Sequence, residues 1–164
     1  MTNPTTFKEV MGSFPTGVTV VTTMGSDGLP YGLTVNSFTS VSISPMLVLW
    51  CIDKKVSSYK EFINSKSFGI HILADDQQEL CWAFAGKKDR FKSADWEISD
   101  RGLPIINGCT SVIECETYRL VDAGDHTILI GKVVNLEKFN KEPMFYFRKR
   151  IGMIPYNWNF NSAT

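Results

Sequence analysis

The segment from Tyr31 to Pro45 is rich in small hydroxyl side chains and directly precedes an apolar run. Its polar residues crowd together instead of alternating with apolar ones: Thr34, Asn36, Ser37, Thr39, Ser40 and Ser42. Because a buried polar group without a partner costs about 1–3 kcal/mol, these side chains need hydrogen-bond partners. A planar ligand with a polar edge would supply them, and solvent at a strand end is the alternative. The run Met46–Ile52 that follows is typical of a strand buried on both faces.

The remaining pattern favours a mainly β fold in a single domain, residues 1–164 with a core of about 7–155. Capping boxes at Thr6–Glu9 and Ser58–Glu61, and a third start at Asp76–Glu79, predict three short helices. Alternating apolar residues and turn signals predict strands at 17–24, from about 31, and at 46–52, 67–73, 109–120, 125–137 and 144–147. We therefore expect a mostly antiparallel β-barrel with peripheral helices.

Composition excludes several classes of function. Seventeen basic and seventeen acidic residues give no net charge, which argues against general binding of nucleic acid or anionic membranes. No apolar run is long enough to span a membrane, and residues 1–6 lack the features of a signal peptide. Four cysteines without C-x-x-C spacing, and only two histidines, predict no metal site and a reducing, cytoplasmic location.

A candidate phosphate site lies between the apolar run and the second predicted helix. The sequence there is Asp53-Lys-Lys-Val-Ser57-Ser58. Free backbone N–H groups at a helix start, with serine hydroxyls and a lysine nearby, can bind a phosphate. The alternative is that Ser58 merely caps the helix and both lysines are solvated.

The two histidines differ in their surroundings. His126 shares strand parity with Ile128 and Ile130, which predicts a position at the rim of the core. There it could steer a ligand, or it could be a structural histidine with satisfied hydrogen bonds. His71 lies in an apolar strand and is predicted to belong to the core or an interface.

Two further positions carry open alternatives. Phe84-Ala85-Gly86 could press a ring and backbone against a planar ligand, or could simply end a helix. Cys51 could act as a nucleophile, although no base lies near it in sequence. No Walker A, Rossmann, Ser-triad or zinc-protease motif is present.

Six motifs in order give the chain a resemblance to a known family. They are Phe14-Pro-Thr-Gly-Val-Thr-Val-Val-Thr-Thr23, Thr34-Val-Asn-Ser-Phe38, Ser40-Val-Ser-Ile-Ser-Pro45, Phe84-Ala85, Asp89-Arg-Phe91 and Gly124-Asp-His126. The chain resembles the flavin reductase family with the FMN-binding split-barrel fold, in particular the small reductase components of two-component monooxygenases. The resemblance covers about residues 7–155.

The resemblance implies a homodimer with one flavin per subunit near the interface. It implies that Thr34, Asn36 and Ser37 hold the isoalloxazine edge, and that Phe84 and Ala85 pack near the flavin. It places Cys51, Ile52 and Asp53 along the ribityl chain and Ser57 and Ser58 at the phosphate. His126 would lie close to the nicotinamide and act as the catalytic residue, with Arg150 and Gly152 on the nicotinamide side.

The implied activity is hydride transfer from NADH or NADPH to FMN or FAD, with a separate oxygenase receiving the reduced flavin. Two alternatives remain at this point. One is a flavoprotein with tightly bound FMN that acts as an electron carrier or redox sensor. The other is a barrel without enzymatic activity that uses its aromatic surface for protein association.

Overall fold

The computed structural model describes residues 2–86 and 90–155. This part of the chain forms three α-helices and one 3-10 helix: α1 (Pro4–Gly12), α2 (Tyr59–Asn64), α3 (Gln78–Ala85) and the 3-10 helix Arg90–Ser93. It also forms twelve strands: β1 (Thr16–Gly17), β2 (Thr19–Met24), β3 (Pro30–Val35), β4 (Thr39–Ile43), β5 (Met46–Asp53), β6 (Ser67–Ile72), β7 (Trp96–Ile98), β8 (Pro104–Ile106), β9 (Ser111–Ala123), β10 (His126–Lys138), β11 (Phe145–Phe147) and β12 (Arg150–Gly152).

Seven strands form one antiparallel sheet in the order β3-β2-β6-β9-β10-β5-β4. The short hairpin β7–β8 and the three-stranded sheet β1-β11-β12 stand apart from it. The predicted mainly β, antiparallel fold with three short helices is confirmed. The prediction missed β4, β7, β8 and β12, because their short segments carry too few alternating apolar residues.

The seven-stranded sheet curls around one core. Leu33 near one edge and Trp50 near the other belong to the same buried cluster, which also includes Phe62 from α2 and Phe68 from β6. The Trp50 ring meets those of Phe62 and Phe68 edge to face, with centroids 5.2 and 5.8 Å apart. Each such pair contributes about 0.5–1.5 kcal/mol beyond simple burial.

A second core covers the other face of β2, β6 and β9. Helix α3 supplies Leu80, Cys81 and Phe84 to this cluster, and β8 supplies Ile106. Strand β2 is therefore buried on both faces. Gly32 lets α3 approach closely, because a Cβ at this position would lie 2.6 Å from Cε1 of Phe84.

Strand β5 differs from its prediction. Its residues alternate between buried and half-buried, so only the face carrying Val48, Trp50 and Ile52 points into the core. The opposite face carries Leu47 and Leu49, and no described element covers it. The apolar run indicated burial on both faces, and the structure shows one buried face and one open apolar face.

Two predicted helix caps are also wrong. The side chain of Asn3, not Thr6, caps α1, and Pro4 at the first helical position starts the helix earlier than predicted. Ser58 precedes α2 with φ −86° and ψ 6°, outside the extended region of a capping residue, and its hydroxyl makes no cap. In the described part of the chain, every helix is too short to cross a membrane.

His71 is fully buried, as predicted for a core residue. Its Nδ1 lies 3.0 Å from the carbonyl oxygen of Val20, which fits a neutral ring donating from Nδ1. Its Nε2 is buried without a partner among the described residues. Protonation would place an unpaired N–H there, and burial lowers the pKa of His71 from 6.5 to about 4.

This burial predicts a loss of stability in acid. The unfolded chain binds a proton at His71 below pH 6.5, whereas the folded chain does so only near pH 4, so stability falls as pH drops through this window. The contribution of His71 is of order 3 kcal/mol across that range. Urea denaturation between pH 4.5 and 7.5 measures it. We expect His71→Gln to flatten the profile relative to the wild type. Equal acid slopes for the wild type and His71→Gln would contradict this assignment.

Candidate functional site

Three of the predicted ligand-binding residues line one small cavity. Thr34, Asn36 and Ala85 surround a space of about 230 Å³ between β3, α3 and the C-terminal hairpin β11–β12. Trp82, Tyr146 and Ile151 complete its walls with apolar surface. The cavity therefore combines a polar edge from the hydroxyl-rich segment with flat aromatic side chains.

The hydroxyl groups of Thr34 and Ser37 already form hydrogen bonds within the protein. The hydroxyl of Thr34 donates to the carbonyl of Cys81 at 2.7 Å, which ties β3 to α3. Ser37 Oγ accepts from the N–H of Cys51 at 2.9 Å and donates to its carbonyl at 3.2 Å. What Thr34 and Ser37 can still offer a ligand is an acceptor lone pair, because their protons are in use. The side chain of Asn36 is exposed beside them.

Ser37 takes the place of a missing strand. Strand β4 pairs with β5 only as far as Leu49, so the next residues of β5 have a free edge on that side. The Ser37 hydroxyl bridges the main chain of Cys51 at this edge. The edge without a strand partner continues to Asp53, where β5 ends.

Cys51, Asp53 and His126 share one face of the sheet. In the pairing of β5 with β10, Asp53 lies opposite His126 and Cys51 opposite Ile128. Residues Thr127 and Leu129 point to the interior, so His126 lies on the outer face. The prediction that His126 lies at the rim of the core is therefore wrong. That prediction rests on the strand parity that His126 shares with Ile128 and Ile130, and both isoleucines are half-buried on the outer face of the sheet.

The hairpin that carries His126 is held in two places. Gly124, with φ +65°, makes the turn, and the next residue, Asp125, contacts Nδ1 of His126 through Oδ1 at 2.7 Å. The hydrogen bond from His126 lowers the pKa of Asp125. Lys54 hydrogen-bonds through Nζ to Asp122 and to the Gly124 carbonyl. The Nε2 atom of His126 therefore points away from the carboxylate of Asp125.

The turn after β5 contains the predicted phosphate residues. Asp53 Oδ1 accepts from the N–H of Lys55 at 2.8 Å, and successive backbone turns lead into α2. Ser57 is exposed, whereas Ser58 is only 3% exposed and its Oγ has no partner among the described residues. Lys54 is committed to the β9–β10 hairpin, which removes it from the predicted phosphate site.

Two predicted residues cannot contact a ligand through their side chains in this structure. Ile52 points into the first core and is fully buried, backbone included. Phe84 is also fully buried, and its ring packs edge to face on Phe91 with centroids 5.0 Å apart. Ile52 lies on the buried face of β5, and Phe84 lies on the buried face of α3. Asp89, part of one sequence motif, lies outside the described residues.

Arg150 and Gly152 lie apart from the small cavity. They line a separate space of about 550 Å³ beside β11 and β12. Ile151 lines both spaces and so links them. The structure therefore places the predicted residues in separate groups that are linked through Ile151 and the Ser37–Cys51 hydrogen bonds, and no single described cavity encloses them all.

Two kinds of chemistry find no support at this site. Burial raises the pKa of the Cys51 thiol, which disfavours the reactive thiolate. No group of metal-ligating side chains occurs in residues 2–86 and 90–155. A larger cavity of about 930 Å³ lies beside β7–β8, but it contains none of the predicted residues, and its lining has four acidic side chains against one basic one, an excess that would repel a phosphate.

The sequence analysis did not assign Trp82, Tyr146 and Ile151 to the ligand site, although all three line the small cavity. Trp82 is 55% exposed and lies off the buried face of α3, a pattern that could have marked it as a contact residue. Tyr146 and Ile151 reach the cavity only because β11 pairs with β1 and β12 with β11. Such pairings between short distant strands leave no signal in local periodicity.

Comparison with known families then identifies the chain. Residues 11–155 match the model described as "Flavin reductase like domain". The chain belongs to the flavin reductase-like domain family. The match covers the seven-stranded sheet, both cores and every predicted site residue of this domain.

Named relatives agree with this membership. The reductase component of a flavin-dependent trigonelline monooxygenase from Acinetobacter baylyi is 45% identical over 86% of this chain, which spans 46% of that relative. "FMN reductase (NADH) SmoA" from Agrobacterium fabrum is 42% identical over 88% of this chain and 82% of its own length. The chain thus spans about half of the first relative and most of the second.

The solved structure of the Streptomyces globisporus NADH:FAD oxidoreductase SgcE6, in complex with NAD and FAD fragments, has the same fold. It aligns with a TM-score of 0.90 and 35% identity, over 97% of this chain and 99% of the other. The flavin reductase-like fold of the curled sheet is therefore shown by both sequence and structure.

The bridge between Ser37 and Cys51 leads to a prediction for this flavin reductase-like domain. Ser37→Ala removes two hydrogen bonds at the free edge of β5, and we expect a loss of about 1–2 kcal/mol in the free energy of unfolding. Ser42→Ala, on neighbouring β4, is the matched control, because its hydroxyl makes no hydrogen bond among the described residues. Urea denaturation of both variants measures the difference. Equal stability of the two variants would show that the bridge does not hold the edge.

Proposed function

We propose that this protein is an NAD(P)H-dependent flavin reductase that passes a hydride from NADH to FMN or FAD. The reduced flavin then serves a separate monooxygenase component. Family membership and the names of the relatives support this activity. The main structural support for this activity is the edge of β5 that lacks a strand partner. Ser37 offers an acceptor at one end of this edge, and the Ser58 hydroxyl, which has no partner among the described residues, lies beyond the other.

The residues present fit a flavin. Thr34 and Ser37 offer acceptor lone pairs and Asn36 offers an exposed amide, which match the alternating donors and acceptors of an isoalloxazine edge. At the other end, the buried hydroxyl of Ser58 lacks a partner that a phosphate oxygen could supply. We assign the ribityl region to Cys51 and Asp53, which are half-buried, and the phosphate to Ser57 and Ser58. The side chain of Ala85 leaves room for the ring.

The flavin, when bound, supplies a ring that accepts a hydride, so no protein side chain has to form a covalent bond with the substrate. The task of the protein is to hold two flat rings in contact and to keep water from between them. Cys81 and Cys51 fix the positions of Thr34 and Ser37 through their main chains. These fixed groups do not need to reorganise during the reaction, which favours charge stabilisation on the ring.

His126 binds and orients the nicotinamide in this proposal. Asp125 holds Nδ1, so Nε2 is available to the ligand on the outer face next to Asp53. Arg150 and Gly152 would contribute from the β12 side. We favour NADH over NADPH because relatives carry NADH in their names.

We further propose a homodimer of split barrels. The outer sheet face, formed by the half-buried side chains of Leu47, Leu49, Val121, Ile128 and Ile130, is apolar and open. It is continuous with Cys51, Asp53 and His126, so a second copy that binds there would border the flavin site.

Four free cysteines fit a reducing compartment, and we assign the protein to the cytoplasm. We treat residues 1–164 as one domain.

NADH oxidation in the absence of oxygen, with purified protein and a large excess of free FMN or FAD, tests the activity. Many turnovers per subunit are expected, because the flavin acts as a substrate that leaves after reduction. Oxidation limited to about one equivalent of bound flavin would instead assign an electron carrier or redox sensor. Absence of flavin binding would rule out both.

A variant at His126 tests its role. We expect His126→Ala to raise the apparent KM for NADH by about tenfold, because the ring that orients the nicotinamide is lost, and to leave the Kd for FMN within twofold. Steady-state kinetics and flavin fluorescence titration measure the two quantities. His71→Gln is the control histidine variant. If His126→Ala keeps the wild-type dependence on NADH, His126 has no part in nicotinamide binding.

Variants at the two serines test the phosphate site. Ser57→Ala/Ser58→Ala is expected to bind FMN no better than riboflavin, whereas the wild type prefers FMN, because the hydroxyls contact only the phosphate. Removal of the unpartnered Ser58 hydroxyl should not lower the melting temperature. Fluorescence titration with both flavins measures the preference, with Ser93→Ala as an exposed control. A retained preference for FMN would place the phosphate elsewhere.

A further inference from the structure

A groove of about 600 Å³ lies between α1 and the β11–β12 hairpin. Phe7, Lys8 and Met11 line it from the helix, and Arg148 and Lys149 line it from the hairpin turn. Its volume falls in the range of about 300–1,000 Å³ that is typical of small-molecule sites. None of the residues from Phe7 to Ser13 belongs to the candidate site described above, whereas Arg148 also lines the space that holds Arg150 and Gly152.

The groove is continuous with the candidate site. Asn36 and Tyr146 line both this groove and the small cavity that holds Thr34 and Ala85. A ligand that begins in the small cavity can therefore extend along Tyr146 toward α1. The hairpin is fixed against the helix by the N–H of Arg148, which donates to the carbonyl of Gly12 at 3.1 Å.

The hairpin turn places two cations in a strained backbone. Arg148 and Lys149 form the two-residue turn between β11 and β12, with φ values of 48° and 62°. Such turns strongly prefer Asn-Gly, since other side chains are crowded at positive φ. Two consecutive long basic residues here carry a conformational cost, and strain of this kind is found at ligand-binding positions.

The charge of the groove favours an anion. Lys8, Arg148 and Lys149 face a single acidic lining residue, Glu9. No carboxylate among residues 2–86 and 90–155 forms an ion pair with any of the three cations. The guanidinium of Arg148 lies over the Phe147 ring, 5.0 Å from its centroid. Phe7, Met11 and Tyr146 add apolar and aromatic surface on which a flat base can pack.

We propose that this groove binds the adenosine diphosphate part of a dinucleotide, with the diphosphate on Arg148, Lys149 and Lys8 and the adenine against Phe7 and Met11. The inference rests on the proposed function, because NADH, NADPH and FAD share this moiety. Arginine and lysine are the side chains that bind phosphate most readily. The arrangement directs the adenosine end of the ligand away from the ring site.

The test uses ADP as the probe, with adenosine for comparison, measured by isothermal titration calorimetry. The variant Arg148→Asn/Lys149→Gly removes both charges but gives the turn its preferred residues. We expect it to raise the melting temperature by about 2–4 °C and to weaken ADP binding at least tenfold. Lys132→Asn/Lys138→Asn removes two exposed cations from β10 and is expected to bind ADP as the wild type does.

Steady-state kinetics with FMN and with FAD then identify the source of the moiety. A higher KM for NADH with both flavins assigns the groove to the nicotinamide dinucleotide. A higher KM for FAD alone, with FMN unaffected, assigns it to FAD. Either result supports the proposed subsite.

Equal ADP affinity in the wild type and Arg148→Asn/Lys149→Gly would overturn the inference, as would a lack of ADP binding to the wild type at millimolar concentration. In either case turnover of free flavin by the wild type would leave the proposed function intact. Conversely, the protein could bind ADP through the turn residues and yet fail to turn over free flavin. That result would support the subsite and refute the reductase activity.

Discussion

The hydroxyl of Ser37 replaces a strand at the edge of β5, and the arrangement of the candidate site depends on this bridge. Strand β4 leaves β5 after Leu49, and the main chain of Cys51 would otherwise lack a partner there. Because a side chain satisfies it, the edge beyond needs no strand partner at this point. A continuous β4 would have closed this edge with a ladder of hydrogen bonds. The same bridge joins the segment that carries Asn36 to the strand that leads to Asp53 and Ser58.

The two cores explain why this edge stays fixed while its surroundings are open. Trp50 and Ile52 anchor β5 from inside the curled sheet, and Phe84 anchors α3 against Gly32 of β3. These buried side chains do not contact the proposed ligand. They set the distance between β3, α3 and β5, so that Thr34 and Ser37 present their oxygen atoms without rearrangement. The polar groups of the site are thus supported by apolar packing on two sides.

Sequence alone could predict the fold class and most strands, because β9 and β10 are long, β10 alternates regularly over its first half, and β2 is rich in Val and Thr. It could not predict which face of a uniformly apolar strand is buried, as β5 shows, nor the face of His126, whose apolar neighbours lie outside the core. The family resemblance implies that Ile52 and Phe84 lie near the flavin. Both side chains point inward instead, because Ile52 lies on the buried face of β5 and Phe84 on the buried face of α3. Tyr146 and Ile151 enter the site through pairing of short distant strands, which leaves no local pattern.

Hydrogen–deuterium exchange with and without FMN tests the central claim most directly, because it locates the ligand without altering the protein. The account predicts slower exchange of main-chain amides in two segments on adding FMN, residues 34–38 and residues 51–58. It predicts no change in the β7–β8 hairpin beside the larger acidic cavity. Protection confined to that hairpin, or bound FMN without protection of residues 51–58, would contradict the claim that the free edge of β5 holds the flavin.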